Sequence, residues 1–265
     1  MLRIEGLSHS YSTESSDRLL ALKEIDLDIP TGQFATVIGS NGAGKTSLFD
    51  AISGRFAPTL GKIFVEDMDI TLWPEYRRSR FIGRIFQNPM HGTASGGTIA
   101  QNLVLAELRG RKHRLRAGVT KNRIDRYQQM VGELGLDLEE RLNSTASTLS
   151  GGQRQAITLL MSLLSEIKVL LIDEHTASLD PHTAEVVLNL TDRLIKKKAL
   201  TTLMITHNID EALRYGDRTI MMDRGRIVLD ITERERSNYT VSEIVDLFRK
   251  RKEDKIEDDD VILDL

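Results

Sequence analysis

Four places in this chain bring together residue types that could do phosphate chemistry. The first is Gly39-Ser40-Asn41-Gly42-Ala43-Gly44-Lys45-Thr46, which satisfies G-x-x-x-x-G-K-[ST], a pattern that holds nucleotide phosphates. Its glycines let the backbone turn tightly and approach an anion with no Cβ in the way. Successive N–H groups can then form a nest for phosphate oxygens. Lys45 would reach the β- and γ-phosphates, and the Thr46 hydroxyl would hold Mg²⁺. The second is Asp173-Glu174, which follows the mostly apolar run Lys168-Val169-Leu170-Leu171-Ile172. Two acids at the end of a buried strand are costly unless a cation or ligand uses them. In parallel sheets ligands sit at that end, with Asp173 beside Mg²⁺ and Glu174 polarising a water. The third is His207, at the end of the strand-like run Leu203-Met204-Ile205-Thr206: either a satisfied structural histidine or, from that place, one facing the same ligand. The fourth is Leu149-Ser150-Gly151-Gly152-Gln153, where Ser150 and Gln153 have capping-box spacing. It marks a second helix N-terminus able to receive phosphate oxygens.

These groups need elements to aim them. Phe34 to Ile38 is a short apolar run with β-branched members, as in a buried strand. Lys45 to Ser53 reads as a helix that stops at Gly54. Strand, loop and helix in that order point the helix N-terminus at the phosphate. Leu2 to Leu7 and Ile25 to Ile29 alternate apolar and polar residues, the pattern of half-buried antiparallel strands. The polar stretch Ser8 to Arg18 between them contains Tyr11, whose ring either stacks on an adenine base or merely packs. Ile63 to Val65 and Phe81 to Phe86 are further strands, the latter ended by Gln87-Asn88-Pro89.

From there to about Leu164 the chain is helical and strongly charged. Arg109 to Arg126 is rich in Arg and Lys: a solvated helical surface, or a contact for a partner or anionic lipid headgroups. Asp180-Pro181 caps a helix whose Ala184, Val187, Leu188, Thr191, Leu194 and Ile195 form one face that packs against the sheet. Asn208 caps a short helix ended by Gly216, and Asp223-Arg224-Gly225 is a hairpin turn. The end of the chain, with Glu257-Asp258-Asp259-Asp260, reads as a solvated acidic tail.

The whole-chain numbers narrow the class. With 36 Lys and Arg against 39 Asp and Glu, net charge is −3, which makes no case for nucleic-acid binding. The absence of cysteine excludes disulfides and thiolate metal sites. The N-terminus shows no apolar signal region, and no apolar run approaches the ~20 residues needed to span a bilayer. A cytosolic protein is expected, with any membrane role exerted through a partner.

Taken in order, the motifs resemble those of the ATP-binding subunits of ABC transporters over about residues 1 to 235. Gly39 to Thr46 looks like the Walker A loop, Gln87 the Q-loop glutamine, and Leu149 to Gln153 the ABC signature. Val169 to Glu174 is similar to Walker B, Ser178-Leu179-Asp180 to the D-loop, and His207 to the switch histidine. His175 stands where most members have proline. It is either a packing substitution or a ring facing phosphate, and Asp-Glu-His-Thr-Ala-Ser-Leu-Asp-Pro resembles a bacterial importer subgroup.

The resemblance implies an α/β fold: a P-loop NTPase (RecA-like) core with an N-terminal antiparallel β subdomain and an inserted α-helical subdomain. Residues 1–87 and 165–236 would form the ATP-binding core, 88–164 the helical signature subdomain, and 237–265 a C-terminal extension. ATP and Mg²⁺ are the implied cofactors. Tyr11, Gly39 to Ser47, Ser150, Gly151, Gly152, Gln153 and Asp180 would bind nucleotide, and Thr46, Gln87 and Asp173 would organise the metal. Glu174 would act as base, with His207, Gln87 and Lys45 completing the catalytic set. Two copies would sandwich two ATP molecules head to tail, driving a transmembrane permease served by an extracytoplasmic substrate-binding protein. The protein would then lie on the inner face of the membrane, with aromatic amino acids among the implied cargoes. A soluble ABC ATPase working on DNA or ribosomes is the other class, but the chain has one cassette and no sustained heptads. A P-loop kinase would leave the signature and His207 unexplained.

Overall fold

The computed structural model describes residues 1–12, 18–110, 118–236, 239–244 and 246. The acidic tail and positions 111–117 of the basic run lie outside the described residues. The first sheet is antiparallel. It contains β1 (Leu2–Ser12), β2 (Arg18–Ile29), β4 (Leu60–Val65) and β5 (Met68–Asp69), in the order β2-β1-β4-β5. The second has the order β10-β9-β3-β8-β7-β6. Its strands are β3 (Phe34–Gly39), β6 (Ile82–Ile85), β7 (Val169–Asp173), β8 (Thr201–Ile205), β9 (Arg218–Asp223) and β10 (Arg226–Ile231). All neighbours there pair in parallel except β10, which forms an antiparallel edge with β9.

Strand periodicity divides the central sheet into two buried faces. Val169, Leu171, Leu203 and Ile205 join the cluster shared with the antiparallel sheet. Between the sheets lies α1 (Lys45–Ser53), which buries Leu48, Phe49, Ala51 and Ile52. Leu170, Ile172 and Met204 face the other way, onto a helical layer.

The described helices are completed by α2 (Glu75–Arg78), α3 (Ile99–Glu107), α4 (Lys121–Gly132), α5 (Gly151–Leu164), α6 (Pro181–Lys198), α7 (Ile209–Arg214) and α8 (Glu233–Arg236). In α6, Leu188, Leu194 and Ile195 pack beneath the sheet with Leu159 and Leu163 of α5. The expected apolar face of this helix is therefore shared between the sheet and a helix.

Two local expectations change. Ser8 to Ser12 is strand rather than loop, because backbone pairing with the run from Arg18 to Leu22 continues the ladder past its irregularities. Arg123 and Arg126 in the basic run are not simply solvated: both pair with Glu107 at the end of α3.

Candidate active site

The phosphate loop connects β3 to α1, and Gly44 takes the N-cap position in the left-handed region at φ 99°. It supplies no side-chain cap, so the first N–H groups of α1 stay available to an anion. A Cβ on Gly44 would lie 2.7 Å from the Ala21 carbonyl oxygen. The loop is also held from outside. Gly225 donates its N–H to the Ala43 carbonyl at 2.9 Å, and Lys23 donates to the Gly225 carbonyl at 2.8 Å. The β9–β10 turn and β2 thus brace the loop, a contact between segments some two hundred positions apart that no local signal announces. Lys45 is 6% exposed, and its Nζ donates to the carbonyls of Gly39 and Ser40 at 2.8 and 3.0 Å. Burial lowers its pKa, against the pull of Glu174 and Asp173.

The carboxylates stand at the ends of the parallel strands. Glu174 adopts φ 44°, a strained conformation for a side-chain-bearing residue of the kind that collects at functional sites. Its Oε1 lies 2.6 Å from His207 Nε2, and Gln87 Nε2 donates to its Oε2 at 3.3 Å. Gln87, Glu174 and His207 therefore meet at one point. Asp173 is engaged by Arg84, whose Nη2 donates to Oδ2 at 3.0 Å. The sequence reading missed this partner.

Thr46, Gln87 and Asp173 offer a hydroxyl, an amide oxygen and a carboxylate, hard donors that suit Mg²⁺. Among the described residues no three His, Cys, Asp or Glu side chains cluster as a metal cage. Mg²⁺ habitually completes such a partial set with phosphate and water oxygens.

A cleft of about 470 Å³ lies over the loop, and Asn41 to Ser47, Glu174 and His207 line it. Tyr11 lines its rim, 38% exposed, with its hydroxyl 3.5 Å from Ser47 Oγ. Its ring meets His9 edge-on at 4.8 Å, and His9 stacks on Phe56 at 3.8 Å. Leu19 and Leu20, 63% and 45% exposed, add apolar surface to the same cleft. The alternation of β2 gave no reason to expect them there.

Ser150 caps α5 as expected. It accepts from Gln153 N at 3.2 Å, while the Gln153 side chain accepts from Ser150 N at 3.2 Å. Ser150 and Gly151 are exposed, whereas Gly152 is buried where a Cβ would collide with Thr183. Asp180 caps α6 by accepting from Thr183 N at 3.1 Å. Neither Ser150 to Gln153 nor Asp180 lines the cleft above the phosphate loop. The structure gathers the two groups separately within one copy. A further residue, Arg154, is 5% exposed and donates to the carbonyls of Ser147 and Leu149, fixing the turn that precedes the cap.

His175 does not face phosphate. It is 1% exposed, its Nε2 lies 3.1 Å from Thr191 Oγ1, and burial pushes its pKa down to about 4. It is a neutral packing residue, and the polar Thr191 in the apolar face of α6 is its partner.

The sequence pattern of the ABC transporter family matches residues 22–177. Over 248 residues the chain is 40% identical to a tyrosine transport ATP-binding protein of Clostridioides difficile, covering 94% of this chain and 98% of that one. It is 35% identical over 234 residues to a methionine import ATP-binding protein, MetN, of Rhodopseudomonas palustris, covering 86% of this chain and 60% of that one. Among solved structures, the ADP conformation of an ATP-binding cassette of an ABC transporter superposes with a TM-score of 0.74 at 26% identity, covering 90% of this chain and 93% of that one. The P-loop NTPase fold with its antiparallel sheet is that of these cassettes. With a pattern spanning more than half its length and a relative matched nearly end to end, this chain belongs to the ABC transporter family as an ATP-hydrolysing, ATP-binding subunit.

Proposed function

We propose that this ATPase is the motor of an importer and works as a head-to-tail dimer around two ATP molecules. The observation that carries the reading is the separation of two phosphate-facing helix N-termini. The N-terminus of α1 opens into the cleft, while that of α5, capped by Ser150, is exposed and outside it. One copy therefore offers two different half-sites. A second copy would place its Ser150, Gly151 and Gly152 over the first copy's Lys45 and Thr46, with Asp180 at the seam. Closure is favoured by ATP because only the closed state binds each nucleotide from both sides.

Within each site, Lys45 and the loop N–H groups would hold the β- and γ-phosphates, and Tyr11 would cover the base. Mg²⁺, held by Thr46, Gln87 and Asp173, would neutralise charge on the transferred phosphoryl group. Glu174 would take the proton of the attacking water or orient it, with His207 holding its carboxylate and facing the γ-phosphate.

No helix among the described residues is long and apolar enough to cross a membrane, so a membrane role would run through a permease. The groove lined by Gln101, Val104, Leu105 and Val119 suits that contact, with Leu105 61% and Val119 41% exposed. The protein would then act at the cytoplasmic face, and a substrate-binding protein would deliver cargo on the other side. The tyrosine and methionine relatives support an amino acid as that cargo. A role on DNA or ribosomes has no comparable support: among the described residues the longest helix, α6, has 18 residues and no coiled-coil arm projects.

The test is nucleotide-driven dimerisation. Glu174→Gln keeps a hydrogen-bonding oxygen but loses the base, so turnover should fall by roughly 10²-fold or more. ATP with Mg²⁺ should then trap this variant as a dimer on sizing, and adding Ser150→Arg should abolish the shift. A trapped dimer that forms equally well with Ser150→Arg would sink the head-to-tail assignment.

A further inference from the structure

Arg84 sits in β6 with its side chain 8% exposed, between Gly83 and the fully buried Ile85. A cation so enclosed is costly unless paired. This one faces two acids from two other elements. Nη1 lies 2.5 Å from Asp50 Oδ1 on α1 and 3.3 Å from Ser53 Oγ. Nη2 lies 3.0 Å from Asp173 Oδ2 at the end of β7. The Phe86 ring centre is 5.1 Å from Cζ, and Nε makes no hydrogen bond within the protein.

Arg55 also approaches Asp50 Oδ1, at 3.8 Å from a largely exposed side chain, and Asp173 is close enough to the phosphate loop to raise the pKa of Lys45. A simple buried ion pair would need only one acid. The second acid is placed to a purpose by the helix period. Asp50 is four residues beyond Thr46, and both belong to α1, so they share a face of that helix. Arg84 therefore ties the face carrying Thr46 to the strand end carrying Asp173. The planar fork holds the two acids along fixed, separate N–H directions, which the rotatable donors of an ammonium do less rigidly.

We propose that Arg84 is a positioning residue: it is the strut that sets the spacing between Thr46 and Asp173, two of the three oxygen ligands assigned to Mg²⁺. This rests on the Mg²⁺ assignment above. Arg84 itself does not line the cleft over the phosphate loop. It acts through Asp50 and Asp173, as outer partners of metal ligands commonly do, and losing such partners typically lowers metal affinity by about 10–100-fold.

The experiment measures Mn²⁺ binding to the ATP-loaded protein by electron paramagnetic resonance, alongside ATP affinity in EDTA and thermal unfolding. Arg84→Met should weaken Mn²⁺ binding by about tenfold or more, while metal-free ATP affinity stays at the parental value. Arg84→Lys should recover only part of the loss. Because Arg84→Met strips Asp50 and Asp173 of their nearest cation and could unfold the protein, Arg84→Met with Asp50→Asn removes both the cation and one acid. That double variant should fold and still bind Mn²⁺ weakly. Parental Mn²⁺ affinity in a folded double variant would overturn the strut, as would an equal loss of ATP affinity in EDTA, which would mean general damage to the site. Asp173→Asn, run in parallel, checks the premise: if it binds Mn²⁺ as the parent does, the Mg²⁺ assignment fails and takes the strut with it.

Discussion

His207 Nε2 stands 2.6 Å from Glu174 Oε1, at the ends of two adjacent parallel strands. The register explains the meeting. Asp173 pairs with Ile205, so both chains leave the sheet at the same level, and Glu174 N donates to the Ile205 carbonyl at 3.1 Å. The left-handed backbone at Glu174 then turns its carboxylate, 14% exposed, toward the more open imidazole, 47% exposed. The acid is shielded and its holder faces the cleft.

If His207 holds that carboxylate, His207→Ala should lower turnover by roughly 10²-fold, the scale of a disrupted acid–base group. ATP affinity should change little, because Lys45 and the loop N–H groups remain. Steady-state hydrolysis and equilibrium titration with a fluorescent ATP analogue separate the two. A variant with parental turnover would show that the contact is incidental.

Lys45 is poised in a pocket of its own making, donating to two loop carbonyls. When ATP arrives, those neutral contacts give way to charge-assisted bonds with phosphate, which are about twice as strong. Lys45→Ala should therefore weaken ATP binding by about 10–100-fold, equivalent to the 1.5–3 kcal/mol of such a bond. Unchanged affinity in calorimetry would refute the phosphate-loop assignment.

What was legible in the sequence was local. Glycine at 54 ends α1, Ser150 and Gln153 box the start of α5, and Asp180-Pro181 opens α6, each because a terminus leaves backbone groups that nearby residues must satisfy. What escaped was the pairing of buried cations across elements. Arg78 is 1% exposed and donates to the Ala51 and Ile52 carbonyls at 2.6 and 2.9 Å, completing the C-terminus of α1 from 26 residues away. Burial lowers its pKa to about 10. Arg78 and Arg84 look alike in sequence to the solvated arginines around them, because only the fold brings their partners near. The sequence leaves His175 open between packing and a ring facing phosphate, and its partner Thr191 on α6 decides for packing.

The brace on the phosphate loop gives a prediction at a residue outside every motif. Gly225 has φ 81°, and a Cβ there would lie 2.7 Å from the Ala21 carbonyl oxygen. Gly225→Ala should cost at least the ~1–2 kcal/mol of a left-handed alanine. Because Gly225 N also donates to Ala43, ATP binding should weaken although the residue lies outside the phosphate loop itself. Thermal unfolding and nucleotide titration test both effects, and a parental melting temperature would show that the brace is dispensable.

Tyr127 supplies a prediction in alkali. The residue is fully buried in the helical layer, and its hydroxyl donates to Glu107, which also holds Arg123 and Arg126. Burial, reinforced by the neighbouring carboxylate, pushes the phenol up to about 12. The unfolded chain would ionise near 10. A raised folded pKa means that the contribution is complete below pH 10 and is lost as pH climbs toward 12. Two pH units of mismatch correspond to roughly 2–3 kcal/mol. Tyr127→Phe cannot ionise, so this part of the alkaline slope should vanish. At neutral pH the variant should be less stable by about 1–3 kcal/mol, having lost a buried hydrogen bond to a charged group. Urea unfolding at pH 8 and pH 11 should therefore show a gap between parent and variant that narrows in alkali. A gap that stays constant would mean that the phenol titrates alike in the folded and unfolded chains, and one that widens would mean that its folded pKa is lowered; either result would require the buried pairing with Glu107 to be abandoned.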